Sequence, residues 1–101
     1  MKMNISFDDK TKDALLKKLN NNDNKVIRLM IKGFGWGGPT LGAVLDEQKN
    51  DDIVEVVDGI TFVSNNEEAE IFEDCKVIYS KSIFGESFKV ISSLVPKSTC
   101  S

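Results

Sequence analysis

Gly33-Phe34-Gly35-Trp36-Gly37-Gly38-Pro39-Thr40-Leu41-Gly42 is the stretch on which the fold turns. It holds five of the seven glycines, one of the two prolines and the only tryptophan. Glycine serves where φ must be positive or where something approaches the backbone closely. Val26 to Ile31, nearly continuously apolar, leads into the stretch and reads as a buried strand. Leu41 to Leu45 reads as a second strand leaving it. The glycines between them read as a loop with a fixed task.

Outward from this point the signals are mostly β. Ile53 to Val57 and Ile60 to Val63 flank Asp58-Gly59, the sequence of a type I′ hairpin turn. Glu55 and Thr61 are placed on its exposed face. Cys75 to Ser80 and Glu86 to Ile91 read as two more strands, joined through Ser82-Ile83-Phe84-Gly85. Ser64-Asn65-Asn66-Glu67 caps a short helix running to about Asp74. A longer helix is expected near residues 7–19, with Ser6 to Asp9 as its capping box and Phe7, Ala14, Leu15 and Leu19 on one face. The expected fold is a mostly β, antiparallel sandwich or barrel-like domain with an N-terminal helix and one short peripheral helix. Residues 1–92 form the single domain and 93–101 a flexible C-terminal tail.

Composition narrows the function. No run is long and apolar enough for a membrane span, and the start, Met1-Lys2-Met3-Asn4, does not read as a signal peptide. A cytoplasmic protein is expected. Charge is segregated: residues 1–32 carry eight Lys/Arg against four Asp/Glu, and residues 46–74 carry eleven acids against one lysine. Residues 76–101 carry four lysines against one acid. The acidic middle argues against nucleic acid as the partner, because phosphate demands a basic face. It is either a solvated surface or a dock for a basic partner. With no histidine, Ser-His and Cys-His nucleophile pairs are impossible. The loop lacks the Gly-Lys-Ser/Thr ending of a phosphate loop, and Pro39 gives the wrong context for a dinucleotide fingerprint. No enzyme is expected.

Taken together, Gly33-x-Gly35-x-Gly37-Gly38-Pro39-Thr40-Leu41-Gly42, Leu45-Asp46-Glu47, Asp58-Gly59-Ile60-Thr61-Phe62 and Phe84-Gly85-Glu86-Ser87-Phe88 resemble the HesB/IscA-like domain. The resemblance is closest to the short HesB-like branch that includes selenoproteins, and it runs from about Ile5 to Val90. It implies a compact β domain linked to iron–sulfur cluster assembly or delivery, with assembly or client proteins as partners and a homodimer as a possible state. It also implies a cysteine or selenocysteine at the position of Trp36 and a Cys-rich tail, whereas this tail has Cys100 alone. Iron–sulfur clusters take about four thiolates each. Cys75 and Cys100 cannot supply them from one chain, so no metal site is expected on the monomer. Iron or a cluster would need an oligomer or a partner's ligands. Cys75 reads as a small buried hydrophobe, or else a ligand; Cys100 reads as an exposed thiol, or else a ligand. Trp36 reads as an apolar plug over the space of a cluster, with an exposed partner anchor as the alternative. Gly35, Gly37, Gly38 and Pro39 frame that position as the candidate loop or partner site.

Overall fold

The computed structural model describes residues 3–20, 24–36 and 38–94. One seven-stranded, barrel-like mixed sheet dominates it. The strands are β1 (Asn4–Ser6), β2 (Val26–Gly35), β3 (Gly38–Asp46), β4 (Ile53–Val57), β5 (Ile60–Ser64), β6 (Asp74–Ser82) and β7 (Gly85–Ser92). Their order across the sheet is β1-β6-β7-β3-β2-β5-β4. The pairs β2–β3, β3–β7, β4–β5 and β6–β7 are antiparallel, while β1–β6 and β2–β5 are parallel. The mostly β expectation therefore holds, with two parallel seams added to the antiparallel plan.

The helix α1 (Asp9–Asn20) confirms the N-terminal helix but not its cap. Asp8, not Ser6, closes the first turn: its Oδ1 accepts the Thr11 N–H at 2.8 Å. Hydrogen bonding by Thr11, through its side chain first and this N–H second, lowers the Asp8 pKa, since it favours the ionised carboxyl. Ser6 belongs instead to β1, which lies parallel to the start of β6. Beyond that short seam the outer edge of β6 needs another acceptor. Thr11, buried on α1, supplies it by accepting the Tyr79 N–H on Oγ1 at 3.0 Å. The helix thus covers a sheet edge that would otherwise leave a donor unpaired.

Met3, Ile5, Leu15, Ile27, Leu29, Phe62, Phe72, Cys75 and Val77 belong to the buried core between α1 and the sheet. Phe7 joins it through a tilted contact with Phe62, ring centroids 5.7 Å apart. The expected short helix is a single 3₁₀ turn, Ala69–Phe72, whose buried Phe72 anchors it. The Asp58-Gly59 turn is as expected, with φ of 51° and 82°. The exposed face of that hairpin is not. Glu55 pairs with Phe62 and is half-buried, while Val54 and Val56 are exposed. Glu55 and Thr61 lie on opposite faces, because Thr61 pairs with Val56 and side chains alternate along a strand.

Candidate functional site

The glycine-rich stretch is not a loop. Pairing of β2 with β3 continues through Gly33↔Thr40, Phe34↔Pro39 and Gly35↔Gly38, so the backbone runs out as a two-stranded ribbon. Trp36 follows Gly35 in a turn at its end. A bulge interrupts the register between Ile31 and Gly33, leaving Lys32 without a partner. The Lys32 side chain then crosses Gly42, where an ideal Cβ would stand 2.2 Å from Lys32 Cε. Among the described glycines, Gly42 is therefore the one at which this chain itself makes a close approach. At Gly33, Gly35 and Gly38 an added Cβ would meet nothing within 4 Å. Their bare backbone faces open space rather than the protein's own atoms.

The ribbon ends in solvent. Trp36 is 106% exposed and Phe34 79%. The expectation of an apolar plug is overturned: the paired ribbon carries the indole away from the core. Gly37 lies outside the described residues, as do residues 95–101 of the expected tail and Cys100 within it.

Cys75 is fixed in the core and is 4% exposed. Burial and the neighbouring Asp74 push its thiol up to about 12. A thiol that resists ionisation is a poor metal ligand, because the thiolate is the binding form. Among the described residues no group of three or more His, Cys, Asp or Glu side chains is arranged to hold a metal ion. These residues do not fit an iron–sulfur cluster.

Sequence reasoning passed over a polar cluster beside the ribbon's root. Arg28 interrupts the apolar run of β2 and is buried. Its Nη1 and Nη2 donate to the two Asp52 carboxylate oxygens at 3.0 and 2.6 Å. Its Nε donates to Asp46 Oδ2 at 2.5 Å, and Nη2 also reaches the Glu47 carbonyl at 3.1 Å. The pKa values of both carboxyls fall; at Asp52 the Arg28 hydrogen bonds are the main cause, at Asp46 the Glu47 N–H and then Arg28. A charged residue inside an apolar run, with acids near the next turn, was the available signal. The cluster ties the end of β3 to the start of β4. It also engages two of the eleven acids of residues 46–74 internally, and Glu68 is engaged too, accepting the Ile31 N–H at 3.3 Å.

The direction of β3 and β7 relates the ribbon end to the rest of the chain. They run antiparallel with Gly42 opposite Lys89, so the C-terminal end of β7 lies toward the Trp36 turn. The Ile83-Phe84 turn between β6 and β7 lies toward the other end.

No family model matches the sequence, and no curated protein is similar to it in sequence. Solved structures are similar in fold. A crystal structure of IscA with the [2Fe-2S] cluster matches with a TM-score of 0.65 and 19% identity, over 88% of this chain and 82% of that one. SufA of Escherichia coli, involved in biosynthesis of iron–sulfur clusters, matches with a TM-score of 0.67 and 16% identity, over 91% and 89%. A protein from Aquifex aeolicus matches with a TM-score of 0.68 and 19% identity, over 91% and 94%. By its architecture, this chain has the HesB/IscA-like fold.

Proposed function

We propose that this chain is a cytosolic, non-enzymatic protein of iron–sulfur cluster assembly or delivery that works by docking through the Phe34–Trp36 ribbon end and lacks a complete cluster site of its own. The observation that carries this reading is the fully exposed Trp36 at the tip of a paired ribbon. Exposed apolar tips mark interaction sites, and tryptophan is enriched among the residues that dominate binding energy. Open space around Gly33, Gly35 and Gly38 leaves the backbone accessible to a partner's surface. The link to iron–sulfur chemistry rests on the likeness in fold to IscA and SufA and on the sequence resemblance. An iron–sulfur scaffold or client protein is the partner class this implies.

A second reading has one observation in its favour. The end of β7 lies toward the Trp36 turn, and Cys100 follows β7 in the sequence. In a homodimer, two copies of Cys100 would then supply part of a shared ligand set.

Anaerobic reconstitution with iron and sulfide tests both. Wild type should gain no visible absorbance, and Trp36→Cys should gain iron and sulfide. Substantial cluster content in wild type, equal to that of Trp36→Cys, would overturn the docking reading. If Trp36→Cys loses its cluster on adding Cys100→Ser, the tail joins the site. Trp36 is the sole tryptophan, so its emission reports docking directly: it should shift to shorter wavelength when a scaffold or client protein covers the tip.

A further inference from the structure

A second surface lies away from the tryptophan tip and is built differently. Helix α1 packs on β6, and between the helix and the β6–β7 hairpin runs a groove of about 430 Å³. Lys10, Lys17 and Lys18 line it from the helix and Lys81 from β6. Tyr79 and Phe88, directly paired across β6 and β7, give it an aromatic wall with ring centroids 5.3 Å apart. Lys10 Nζ stands 6.0 Å from the Tyr79 ring centroid, and Lys18 Nζ 5.6 Å from that of Phe88. Such contacts hold the lysine stems along the rings and their charge at the groove. Two acids also line it, Asp13 and Glu86, and Glu86 is engaged by the Tyr79 hydroxyl, which donates to Oε1 at 2.5 Å. Four lysines against two carboxylates leave the lining cationic.

The hairpin that forms one side of this groove ends in an apolar knob. Lys81 pairs with Glu86 and Ser82 with Gly85, so Ile83 and Phe84 form the two-residue turn, each 93% exposed. Turns of this length ordinarily carry Asn, Asp or Gly, which fit the backbone and water alike. An Ile-Phe pair there buries nothing within the chain. Cationic groove and apolar knob are contiguous along one hairpin.

We infer that this face is a docking surface for an extended, acidic segment of a partner protein that also carries bulky apolar side chains. The partner's carboxylates meet the lysines, and its apolar groups meet Ile83, Phe84 and the aromatic wall. Exposed ion pairs are weak singly and are screened by salt, so recognition needs several together plus the apolar contact. The concavity of the groove favours a peptide over a lipid surface, since a flat bilayer would leave it unfilled. The inference is independent of the proposed iron–sulfur role, because the two turns face opposite ends of the β3–β7 seam.

The test uses a fluorescein-labelled peptide of alternating Glu and Leu, followed by anisotropy at low and near-physiological salt. Binding should be weaker at the higher salt. It should fall about tenfold or more in Lys17→Glu/Lys81→Glu and in Phe84→Ser, both at exposed positions, and stay unchanged in Trp36→Ser. Equal binding of an alternating Lys and Leu peptide would overturn the inference. So would charge reversal without effect, or sedimentation with phosphatidylserine vesicles in place of peptide binding.

Discussion

Asp52→Asn should destabilise the fold by about 2–3 kcal/mol, and Asp46→Asn by much less, although Arg28 makes its shorter contact with Asp46. The reasoning turns on burial. The side chains of Arg28 and Asp52 are 10% and 3% exposed, and Asp46 is 37% exposed. Water screens the Asp46 pair and leaves it the small value of a surface contact. The Asp52 pair is desolvated and bidentate, and Asp52 also accepts the Lys49 N–H at 2.8 Å. A hydrogen bond to a charged group contributes about 1.5–3 kcal/mol net. Breaking a buried pair from one side costs about 3–5 kcal/mol when the remaining charge has no other partner. Arg28 keeps Asp46 and the Glu47 carbonyl, which places the loss toward the lower end. In a domain of this size the thermal midpoint should fall by roughly 10–20 °C. The pH dependence has a definite sign. Both folded-state carboxyls titrate below their ordinary value, so their contribution is fully present above the unfolded-state pKa of about 3.9 and is lost as pH falls through the folded values. Wild type should therefore lose stability below about pH 4, and Asp52→Asn should lose less of it there. Urea unfolding across pH, with Arg28→Met completing a double-mutant cycle, measures the coupling. Asp52→Asn within about 0.5 kcal/mol of wild type, with an unchanged acid limb, would refute the argument.

Gly59→Val should cost about 1–3 kcal/mol in chemical denaturation, because Gly59 sits at φ 82° and a β-branched residue is strained there. In a Cys100→Ser background, Cys75 should react with a thiol reagent only at the rate of opening of the fold and at full speed in denaturant, since its thiol is buried and held protonated.

The parts of the fold legible in the sequence were those encoded locally. Asp58-Gly59 fixes a turn within two residues, and the spacing of Leu15 and Leu19 fixes a helix face. What escaped depends on distant partners. Three residues, Asn4–Ser6, carry no period of their own and become a strand only because β6 offers an edge. Ser6 satisfies the letters of a capping box, yet that edge draws it into β1 and passes the cap to Asp8. The face of β4 escaped for a related reason. Polarity assigns Glu55 to solvent, but register with Phe62 sets its direction. The groove between α1 and β6–β7 joins residues about seventy positions apart, and no local pattern announces it.

The glycine stretch shows how a residue can be singled out correctly and aimed wrongly. Five glycines argue for a loop because each weakens a strand by entropy and by the missing side chain. They do not remove the backbone N–H and C=O groups, and here those groups continue the ladder to Gly35↔Gly38. Once the ladder continues, Trp36 cannot fold back onto the core. With the indole in water, replacing it should change stability by no more than about 0.5 kcal/mol, the usual range for surface sites. The several kcal/mol lost on truncating a buried tryptophan do not apply. Folding therefore places almost no demand on which side chain stands at position 36. A tryptophan kept there exposes a large apolar surface that is a liability for a free protein. Contact with something outside the chain is the reason we propose for it, and Trp36→Cys should then alter that contact while the fold stays as stable as before.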